Sequence, residues 1–434
     1  MPGKHRMRTV LSALLTLLTG AGRLAFGSGY AIYEQGANAM AQAGAFTARA
    51  SDPSALFFNP AGILQLEGKQ VYGGTTAVFL SGSAFQSSPP GSDDEQEYAI
   101  AWPSALYYTQ KLSDQAAWGL AITSPFGLRT QWGPSFVGRY ISRESNLAVG
   151  NVNANLAFSL NPTWSAAIGI DYAKAEIREL SENLFFNFVP FNAPDGFAKL
   201  TGDGTSTGWN LALRWASKET GWRWGASYRS GMSPKIDGDI KFTNIPVALG
   251  PSFRNGPASA TLPLPATAVT GVGYLSHKGR GKWELEVDAL WTDWSAFGRL
   301  QVDIKNNSPF LPDVNQIEGW HDTYSYRVGF THHLTLRQDY RLGAYYDRNP
   351  VPDQHIRPRL PDADRKSLQA GYGFHGKGGF ILDIAYQAIF FYDRRADGSP
   401  LGPTGIPGTG SNPVQPGLYK NFTSLVGLSL GWKF

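Results

Sequence analysis

The chain has 434 residues, no cysteine and almost balanced charge, with 38 Lys and Arg residues against 34 Asp and Glu residues. This balance argues against a nucleic-acid partner, and the lack of cysteine excludes a disulfide scaffold and a thiolate metal site. Aromatic residues make up 13% of the chain, charged residues only 17%, and there are 50 glycines. Such a composition is typical of a transmembrane β-barrel, whose strands are apolar on one face only.

Residues 1–27 have the layout of a secretory signal. A basic start with Lys4, Arg6 and Arg8 is followed by an apolar run over 10–18 and by a small-x-small cleavage site at 25–27. The run is too short to span a bilayer as a helix, and no later segment approaches 18 consecutive apolar residues. We therefore expect an exported chain that starts at Ser28, is nearly neutral and has no helical membrane anchor.

Segment 28–67 is apolar and rich in glycine and alanine, yet it has neither a good strand pattern nor a good helix pattern. It ends on a turn in which Pro60 fixes φ and Asn59 can hydrogen-bond locally. Because the segment is too apolar to lie in water, we expect a plug, or hatch, inside a barrel formed by residues 68–434. The expected hatch residues are Glu34, Asn59, Pro60, Ala61 and Gly62.

The rest of the chain alternates between large apolar and polar residues with a period of two, for example over 209–215 and 283–291. Short turns are expected near 111–115, 160–162, 217–220, 277–281, 335–337 and 376–378. Long connections are expected near 81–96, 125–146, 176–205, 232–264, 295–321, 348–366 and 393–420. Short and long connections alternate, which predicts an all-β, up-and-down antiparallel barrel of about fourteen strands with short periplasmic turns and long extracellular loops. Residues 302–304 are assigned to the fifth loop.

The final segment, 422–434, is an amphipathic strand that ends on an aromatic residue. Its apolar face carries Val426, Leu428, Leu430, Trp432 and Phe434. Such an ending resembles the closing strand of bacterial outer-membrane proteins, so we expect the bacterial outer membrane as the location.

Motifs along the whole mature chain resemble those of the FadL/TodX outer-membrane transporters of long-chain fatty acids and aromatic hydrocarbons. The matching segments are Gly29, 34–36, Gly44, Asp52, 59–62, 124–128, Trp132, 138–140, 288–294, 327–329, 341–343, 350–352 and 360–365. The resemblance implies a fourteen-stranded barrel closed by an amino-terminal hatch. It also implies passive uptake: capture among the extracellular loops, passage to an inner pocket, a shift of the hatch, and sideways exit through a gap at a kink in the third strand.

The implied cargo is a fatty acid, an aromatic hydrocarbon or an alkane, and the sequence leaves these open. No cofactor and no metal are expected. The expected surroundings are outer-membrane lipid and lipopolysaccharide, and the family resemblance suggests a monomer.

An apolar cluster over 184–191 lies inside an expected extracellular loop, and contiguous exposed apolar patches usually mark binding sites. The alternative is that this loop packs on its neighbour, 245–253. The expected substrate-binding residues at the loops and the mouth are Phe126, Phe136, Arg139, Tyr140, Arg143, Leu184, Phe185, Phe186, Phe188 and Phe191.

The lateral gate is expected where the third strand, read as a short strand over 118–123, meets Pro125 and Gly127. Proline cannot donate to a strand ladder and glycine has no side chain, so both suit a broken edge. The alternative is an ordinary strand end that enters a loop.

Several charged residues should face the lumen. The arginines are Arg214, Arg223, Arg229, Arg327 and Arg341, and the acids are Asp171, Glu284, Glu286, Asp288 and Asp383. We expect most of them to be paired, because a lone buried charge is costly. An unpaired arginine could bind a fatty-acid carboxylate. Arg139 and Arg143 are better placed for this, unless they are solvated loop charges.

Catalysis has little support in the sequence. His332 and His333 are expected to be solvated at a periplasmic turn, and the chain has neither metal-ligand spacing nor a G-x-S-x-G elbow. The rival interpretation is an outer-membrane lipid hydrolase built on His321 and Ser325, for which no orienting acid is evident. A structural or adhesive barrel would not need an apolar plug.

Overall fold

The computed structural model describes residues 29–80, 84–88, 90–276, 282–305, 314–400 and 413–434. The predicted leader and its cleavage site lie outside these ranges. Within them, no helix has both the length and the apolarity that a membrane crossing requires.

Within the described residues, fourteen antiparallel strands close into a barrel. In chain order they are β1 (Lys69–Leu80), β2 (Ser104–Ser113), β3 (Ala116–Gln131), β4 (Glu144–Ser159), β5 (Trp164–Leu184), β6 (Gly196–Ala216), β7 (Trp222–Arg229), β8 (Thr267–Leu275), β9 (Trp283–Thr292), β10 (Thr323–His333), β11 (Gln338–Asp347), β12 (Arg365–His375), β13 (Phe380–Phe391) and β14 (Phe422–Lys433). Each pairs with its sequence neighbour, and β14 also pairs with β1, placing Trp432 opposite Val71. The predicted fold class is confirmed.

The period-two pattern separates the two faces of the wall. On β5, Ile168, Ile170 and Tyr172 are exposed to the surrounding lipid, whereas Asp171 and Ala173 are buried toward the lumen. Aromatic contacts on the outer face gather near the strand ends, as interfacial girdles do. Near the periplasmic end these are Trp222–Tyr274, Tyr340–Tyr372 and Phe380–Trp432, and near the extracellular end Trp209–Tyr228 and Phe390–Phe422.

Several strands are longer than the sequence pattern indicated. The predicted loops 125–146 and 176–205 are shorter, because β3 continues to Gln131, β4 begins at Glu144, and β5 and β6 are 21 residues long each. The predicted connections 232–264 and 295–321 contain further strands, which extend β6 outside the barrel. They are Lys235–Thr243, Gly256–Thr261, Arg299–Ile304 and Val314–Ile317. Residues 302–304 lie outside the barrel as predicted, but in a strand.

A second, four-stranded sheet covers the extracellular side. It consists of Ala84–Ser87, Asp93–Glu95, Arg394–Ala396 and Gly417–Lys420, and Ala99–Ala101 adds to the end of β1. The remaining short helices outside the plug are the 3₁₀ turns Val247–Ser252, Trp294–Ala296, Asp353–His355 and Lys377–Gly379.

Residues 29–66 fill the lumen. They contain two single-turn α-helices, α1 (Ala37–Met40) and α2 (Ala55–Phe58), followed by a 3₁₀ helix at Pro60–Gln65. One face of this segment packs against a wall of small side chains on β3 to β6. The plug side chains there are Leu56, Ala61 and Ile63, and the wall side chains are Ala117, Ala157, Ala167 and Ala212.

Candidate functional site

The turn at residues 59–62 ties the lower part of the plug together. The Asn59 side chain donates to the carbonyl oxygens of Thr47 (2.8 Å) and Leu213 (3.0 Å) and accepts from the amide of Ala61 (3.1 Å). Pro60 begins the 3₁₀ helix, and a Cβ on Gly62 would lie only 2.3 Å from the Ala50 Cβ, so only glycine fits.

Two other polar contacts join predicted hatch residues to the wall. The Ala61 carbonyl accepts from the Ser165 hydroxyl at 2.9 Å, and Glu34 accepts from the Gln387 side chain at 2.9 Å. Together with Asn59, these residues link the plug to β5, β6 and β13.

Two neighbouring carboxylates on β9 hold the middle of the plug. Asp288 accepts from the amides of Phe46 and Thr47, both at 3.1 Å. Glu286 accepts from the next two amides of the chain, those of Ala48 (2.6 Å) and Arg49 (2.9 Å). All of these groups are buried, so the loop over 46–49 is anchored to one strand by four hydrogen bonds.

All five lumen arginines that the sequence analysis named have partners. The contacts are Arg214 with Ala48 O and Gln65, Arg223 with Glu284, Arg229 with Asp171, Arg327 with Asp347 and Ala43 O, and Arg341 with Asp339 and Asp383. Four of the five thus pair with an acid, whereas Arg214 has neutral acceptors of the plug. The prediction that most of these residues are paired therefore holds.

The prediction of a solvated His333 was wrong. Its two ring nitrogens lie 2.7 Å from Asp339 and 2.9 Å from Glu284, so it bridges two acids of the lumen network. Glu284 also pairs with Arg49 of the plug at 2.8 Å. The period-two pattern locates the histidine next to a turn. It does not show which acids of the neighbouring strands lie beside the ring.

The wall has a gap beside the upper half of β3. Strand β2 pairs with β3 only as far as Leu106 opposite Ile122, so the rest of β3 lacks its neighbour on this side. Above the gap, the Glu97 amide donates to the Gln131 carbonyl at 2.8 Å. The prediction that the third strand ends at residue 123 was wrong, because its pairing with β4 resumes after a bulge and continues to Gln131.

The first residues of the plug fill this gap. We call residues 29–35 the strap. The Ile32 amide donates to the Pro125 carbonyl at 2.8 Å, and the Gly127 amide donates to the Tyr30 carbonyl at 3.0 Å, so Ala31 lies opposite Phe126 in an antiparallel bridge. Pro125 and Gly127, the predicted gate residues, are therefore the strap's contacts on the wall.

Tyr30 of the strap is enclosed by aromatic side chains. Its ring centroid lies 4.7 Å from that of Trp294, 5.7 Å from Trp320, 6.0 Å from Phe126 and 6.1 Å from Phe297. Its hydroxyl donates to the Pro263 carbonyl. Burial, with a further contribution from Glu318, raises the Tyr30 pKa far above its usual range, so this hydroxyl stays protonated.

Tyr30 also borders two cavities. An inner cavity of about 80 Å³ lies beneath the extracellular loops and is lined mainly by aliphatic and aromatic side chains, including Leu262, Phe297 and Leu360. A larger cleft of about 750 Å³ runs from the other side of Tyr30 to the gap beside β3, where Trp102 and Gly127 line it. Three further side chains border both spaces: Leu128, Leu147 and Leu360.

The inner cavity is polar at one end only. There Arg357 pairs with Glu318 at 2.6 Å. Burial lowers the pKa of Arg357. Burial also raises the pKa of Glu318, although the charge of Arg357 acts in the opposite direction. Arg359 also lines the cavity, and its nearest acid is Glu182 at 3.9 Å. The Nε of Arg359 is buried and has no hydrogen-bond partner among the described residues.

Part of the predicted capture site is one cluster of half-buried rings, which we call the loop cluster. Ring centroids are 5.4 Å apart for Tyr140 and Phe185, 6.2 Å for Phe185 and Phe188, and 5.4 Å for Phe188 and Phe191. Val189, between these residues, is 81% exposed. An apolar surface therefore lies at the extracellular tip of the loop between β5 and β6.

The arginines of the predicted mouth are engaged locally. Arg139 pairs with Asp195 at 2.9 Å and lies over the Tyr140 ring. Against the effect of burial, hydrogen bonds from Arg139, Asn183 and Tyr140 lower the Asp195 pKa. Arg143 donates to the Trp132 carbonyl at 3.0 Å and to Asn183 at 3.4 Å.

Three predicted binding residues lie in the packed interior and not in the loop cluster. Phe186 is buried against Phe253, so at this residue the loop packs on its neighbour over 245–253, as the alternative interpretation expected. Leu184 is half-buried nearby. Phe136 is fully buried and stacked on Trp132 with 4.3 Å between ring centroids. Phe126, by contrast, lies at the gap beside Tyr30.

The residues of the inner cavity were missed. Tyr30, Phe297 and Trp320 come from three separated segments, and no spacing in the chain links them. Arg359 follows a segment with an unusual density of proline and arginine, which was the one available signal. The two residues of the hydrolase rival do not form a pair, since His321 is exposed, Ser325 is buried, and no hydrogen bond joins them within the described part of the chain.

Comparison with known proteins agrees with this architecture. A crystal structure of a Pseudomonas aeruginosa FadL homologue superposes with a TM-score of 0.79 at 19% identity, covering 94% of this chain and 100% of that one. The toluene transporter TodX of Pseudomonas putida gives a TM-score of 0.71 at 16% identity, with coverage of 95% and 99%. At these identities the likeness establishes the fold.

Sequence comparison adds the family. The long-chain fatty acid transport protein of Escherichia coli O6:H1 is 29% identical over 318 residues, covering 66% of this chain and 69% of that protein. Outer membrane protein P1 of Haemophilus influenzae is 21% identical over 344 residues, with coverage of 71% and 70%. A family profile described as outer membrane protein transport protein (OMPP1/FadL/TodX) matches residues 18–399. Since that match spans most of the 434 residues, the chain belongs to this family of outer-membrane transport proteins.

Proposed function

We propose that this chain is a passive outer-membrane channel that takes up long-chain fatty acids and releases them sideways into the membrane. The observation that carries the proposal is the position of Tyr30, which lines both an apolar cavity and the larger cleft at the wall gap. In this proposal a side chain of the plug lies between the place where a cargo binds and the place where it leaves.

The loop cluster, with its half-buried rings and exposed Val189, is the proposed first contact. Phe185, Phe188 and Phe191, with Val189 between them, present an apolar surface at the extracellular tip. Exposed apolar patches of this kind mark binding sites, and an apolar cargo gains free energy by leaving water for them.

The size of the inner cavity couples binding to opening. At about 80 Å³ the cavity is much smaller than the roughly 300–1,000 Å³ of typical small-molecule sites. A long acyl chain can enter only if a lining residue moves away. Tyr30 is on the strap, whose backbone bonds to β3 are few, so its withdrawal both enlarges the cavity and joins it to the cleft.

Arg359 is the proposed contact for the cargo carboxylate. Arg357 is neutralised by Glu318 at 2.6 Å, whereas the nearest acid to Arg359 is 3.9 Å away. A guanidinium group can bind a carboxylate through two parallel hydrogen bonds, and the apolar remainder of the cavity suits the acyl chain. The names of the curated long-chain fatty acid transport relatives favour the same cargo.

We propose no catalytic role. The family consists of transport proteins, and the arrangement of His321 and Ser325 offers no nucleophile activated by a base. We further propose that residues 1–27 are removed as a signal and that the mature barrel acts as a monomer surrounded by outer-membrane lipid and lipopolysaccharide.

The test compares uptake of a saturated fatty acid and of the alkane with the same number of carbons. The purified barrel is placed in vesicles with lipopolysaccharide in the outer leaflet, and Arg359→Gln is compared with Lys241→Gln, which removes an exposed charge on an outer strand. We expect a preference for the acid that Arg359→Gln reduces about tenfold, in line with the loss of one charged hydrogen-bonded pair. Equal handling of acid and alkane by the native barrel would contradict the proposed cargo, and uptake of neither would contradict the transport function.

A further inference from the structure

The bulge in β3 leaves two residues, Ser124 and Pro125, without a partner on the neighbouring barrel strands. Pairing with β4 passes from Thr123 opposite Asn151 to Phe126 opposite Val149, which skips Ser124 and Pro125. On the other side, pairing with β2 ends at Ile122. The backbone amide and carbonyl of Ser124 therefore face neither neighbour, although unpaired backbone groups are rare in the walls of membrane barrels.

The side chain of Gln35 supplies both missing partners. Its Oε1 accepts from the Ser124 amide at 3.2 Å, and its Nε2 donates to the Ser124 carbonyl at 2.7 Å. A carboxamide both donates and accepts in one plane, as a peptide group does. Gln35 is 1% exposed, so this side chain acts as a one-residue strand inside the bulge.

Gln35 lies where the strap joins the rest of the plug. Its carbonyl accepts from the Tyr107 hydroxyl at 2.7 Å, and the next residue, Gly36, has φ of 143°, a backbone conformation that favours glycine. Beyond this point the plug has its own anchors, among them the Asp288 and Glu286 bonds to residues 46–49. The strap can thus move without displacing the body of the plug.

We infer that the Gln35 carboxamide is the latch that holds the strap in the wall gap. The inference deepens the proposed function and rests on it for its physiological meaning. While the carboxamide is in place, both Ser124 groups are satisfied and the bulge is stable. When the strap leaves, both groups lose the partners that Gln35 supplies, and this cost favours the filled gap in the absence of cargo.

The residue type is specific for this role. An ionised glutamate has the same shape but cannot donate to the Ser124 carbonyl, and leucine can neither donate nor accept. Gln35→Glu and Gln35→Leu therefore remove one or both bonds with little change in volume. Gln301→Glu, on an exposed strand outside the barrel, is the matched control for the added charge.

The chain contains no cysteine, so a single introduced thiol reports on one position. We would place it in the strap, as Ala31→Cys, or in the body of the plug, as Ala45→Cys, and measure the rate of labelling by a water-soluble maleimide in folded barrels. Folding is verified by the difference in migration between unheated and heated samples on a denaturing gel.

We expect Gln35→Glu and Gln35→Leu to raise the labelling rate at position 31 about tenfold, which corresponds to the loss of one or two net hydrogen bonds. The labelling rate at position 45 should stay at the native value in both variants. The control Gln301→Glu should leave the labelling rates at both positions unchanged. Unchanged labelling at position 31 in both folded variants would overturn the latch, and so would equal increases at 31 and 45, which would indicate a general loosening of the plug.

The outcome is separable from that of the proposed function. If the native barrel takes up no fatty acid but Gln35→Glu frees the strap, the latch stands and the transport proposal fails. If uptake is normal and cargo-dependent but neither substitution alters labelling at position 31, the latch fails and the transport proposal stands.

Discussion

The amide of Gly127 donates to the carbonyl oxygen of Tyr30 at 3.0 Å, and this bond joins the barrel wall to the beginning of the plug. Gly127 belongs to the half of β3 that has lost β2 as a neighbour, so the missing strand is replaced by the chain's own strap. The strap thus fills the wall gap and, through Tyr30, also lines the inner cavity.

Truncation of Tyr30 should open the partition between the cavities. Tyr30→Ala removes a buried aromatic ring, and we expect a loss of stability of roughly 3–5 kcal/mol at most, as for other buried aromatic residues. Because the partition disappears, uptake should become faster and less dependent on cargo concentration. Tyr30→Phe keeps the ring, loses only the bond to Pro263, and should take up cargo at nearly the native rate. Slower uptake by a folded Tyr30→Ala barrel would contradict this role.

Loss of Asp288 should release the body of the plug. In Asp288→Ala the amides of Phe46 and Thr47 lose their acceptor, at a cost of about 1–3 kcal/mol for each buried group. We expect faster proteolytic cleavage within residues 46–49 and a lower melting temperature. Asp288→Asn retains an acceptor oxygen and is the matched control. Equal protease resistance of Asp288→Ala and the native barrel would show that these bonds do not anchor the plug.

Asp362 should make the stability of the strap region depend on pH. This loop residue accepts from the Gly29 amide at 3.0 Å, and burial raises its pKa from 3.8 to about 6. Because the folded pKa is above the unfolded value, the carboxyl favours the folded state fully below about pH 4, and this contribution is lost as the pH rises through about 6. Asp362→Asn is neutral at every pH and can still accept from Gly29.

The stability gained by Asp362→Asn should therefore be larger above about pH 7 than below about pH 4. The upper limit of the difference is roughly 3 kcal/mol, from a shift of about two pKa units. Thermal unfolding of both proteins in detergent across this range measures it. Parallel pH profiles for the two proteins would contradict a raised Asp362 pKa.

The barrel could be predicted because each strand repeats the same local signal. Alternation such as that over 283–291 indicates which face of a strand is in contact with lipid. The regular change between short and long connections gives the number of strands. The ends of β3, β5 and β6 could not be predicted, because above the membrane their outer face becomes polar. A period-two pattern then loses the apolar residues that make it visible.

The candidate site could be predicted only where local chemistry marks it. Pro125 and Gly127 stand out as poor strand residues, and both contact the strap. Tyr30 and Gln35 do not stand out, because their roles depend on strands that lie far away in the chain. The half-buried rings of the loop cluster and the buried Phe186 share one apolar run, and only tertiary packing distinguishes them.

The measurement that tests the account most directly is uptake by a barrel whose strap is tied to the wall. Ala31 and Phe126 form a non-hydrogen-bonded antiparallel pair, in which the Cα atoms are about 4.5 Å apart, within the reach of a disulfide. In the double variant Ala31→Cys, Phe126→Cys, we expect oxidation to abolish fatty-acid uptake and reduction to restore it, while each single variant responds to neither treatment. Normal uptake by the fully oxidised double variant would contradict exit through this gap.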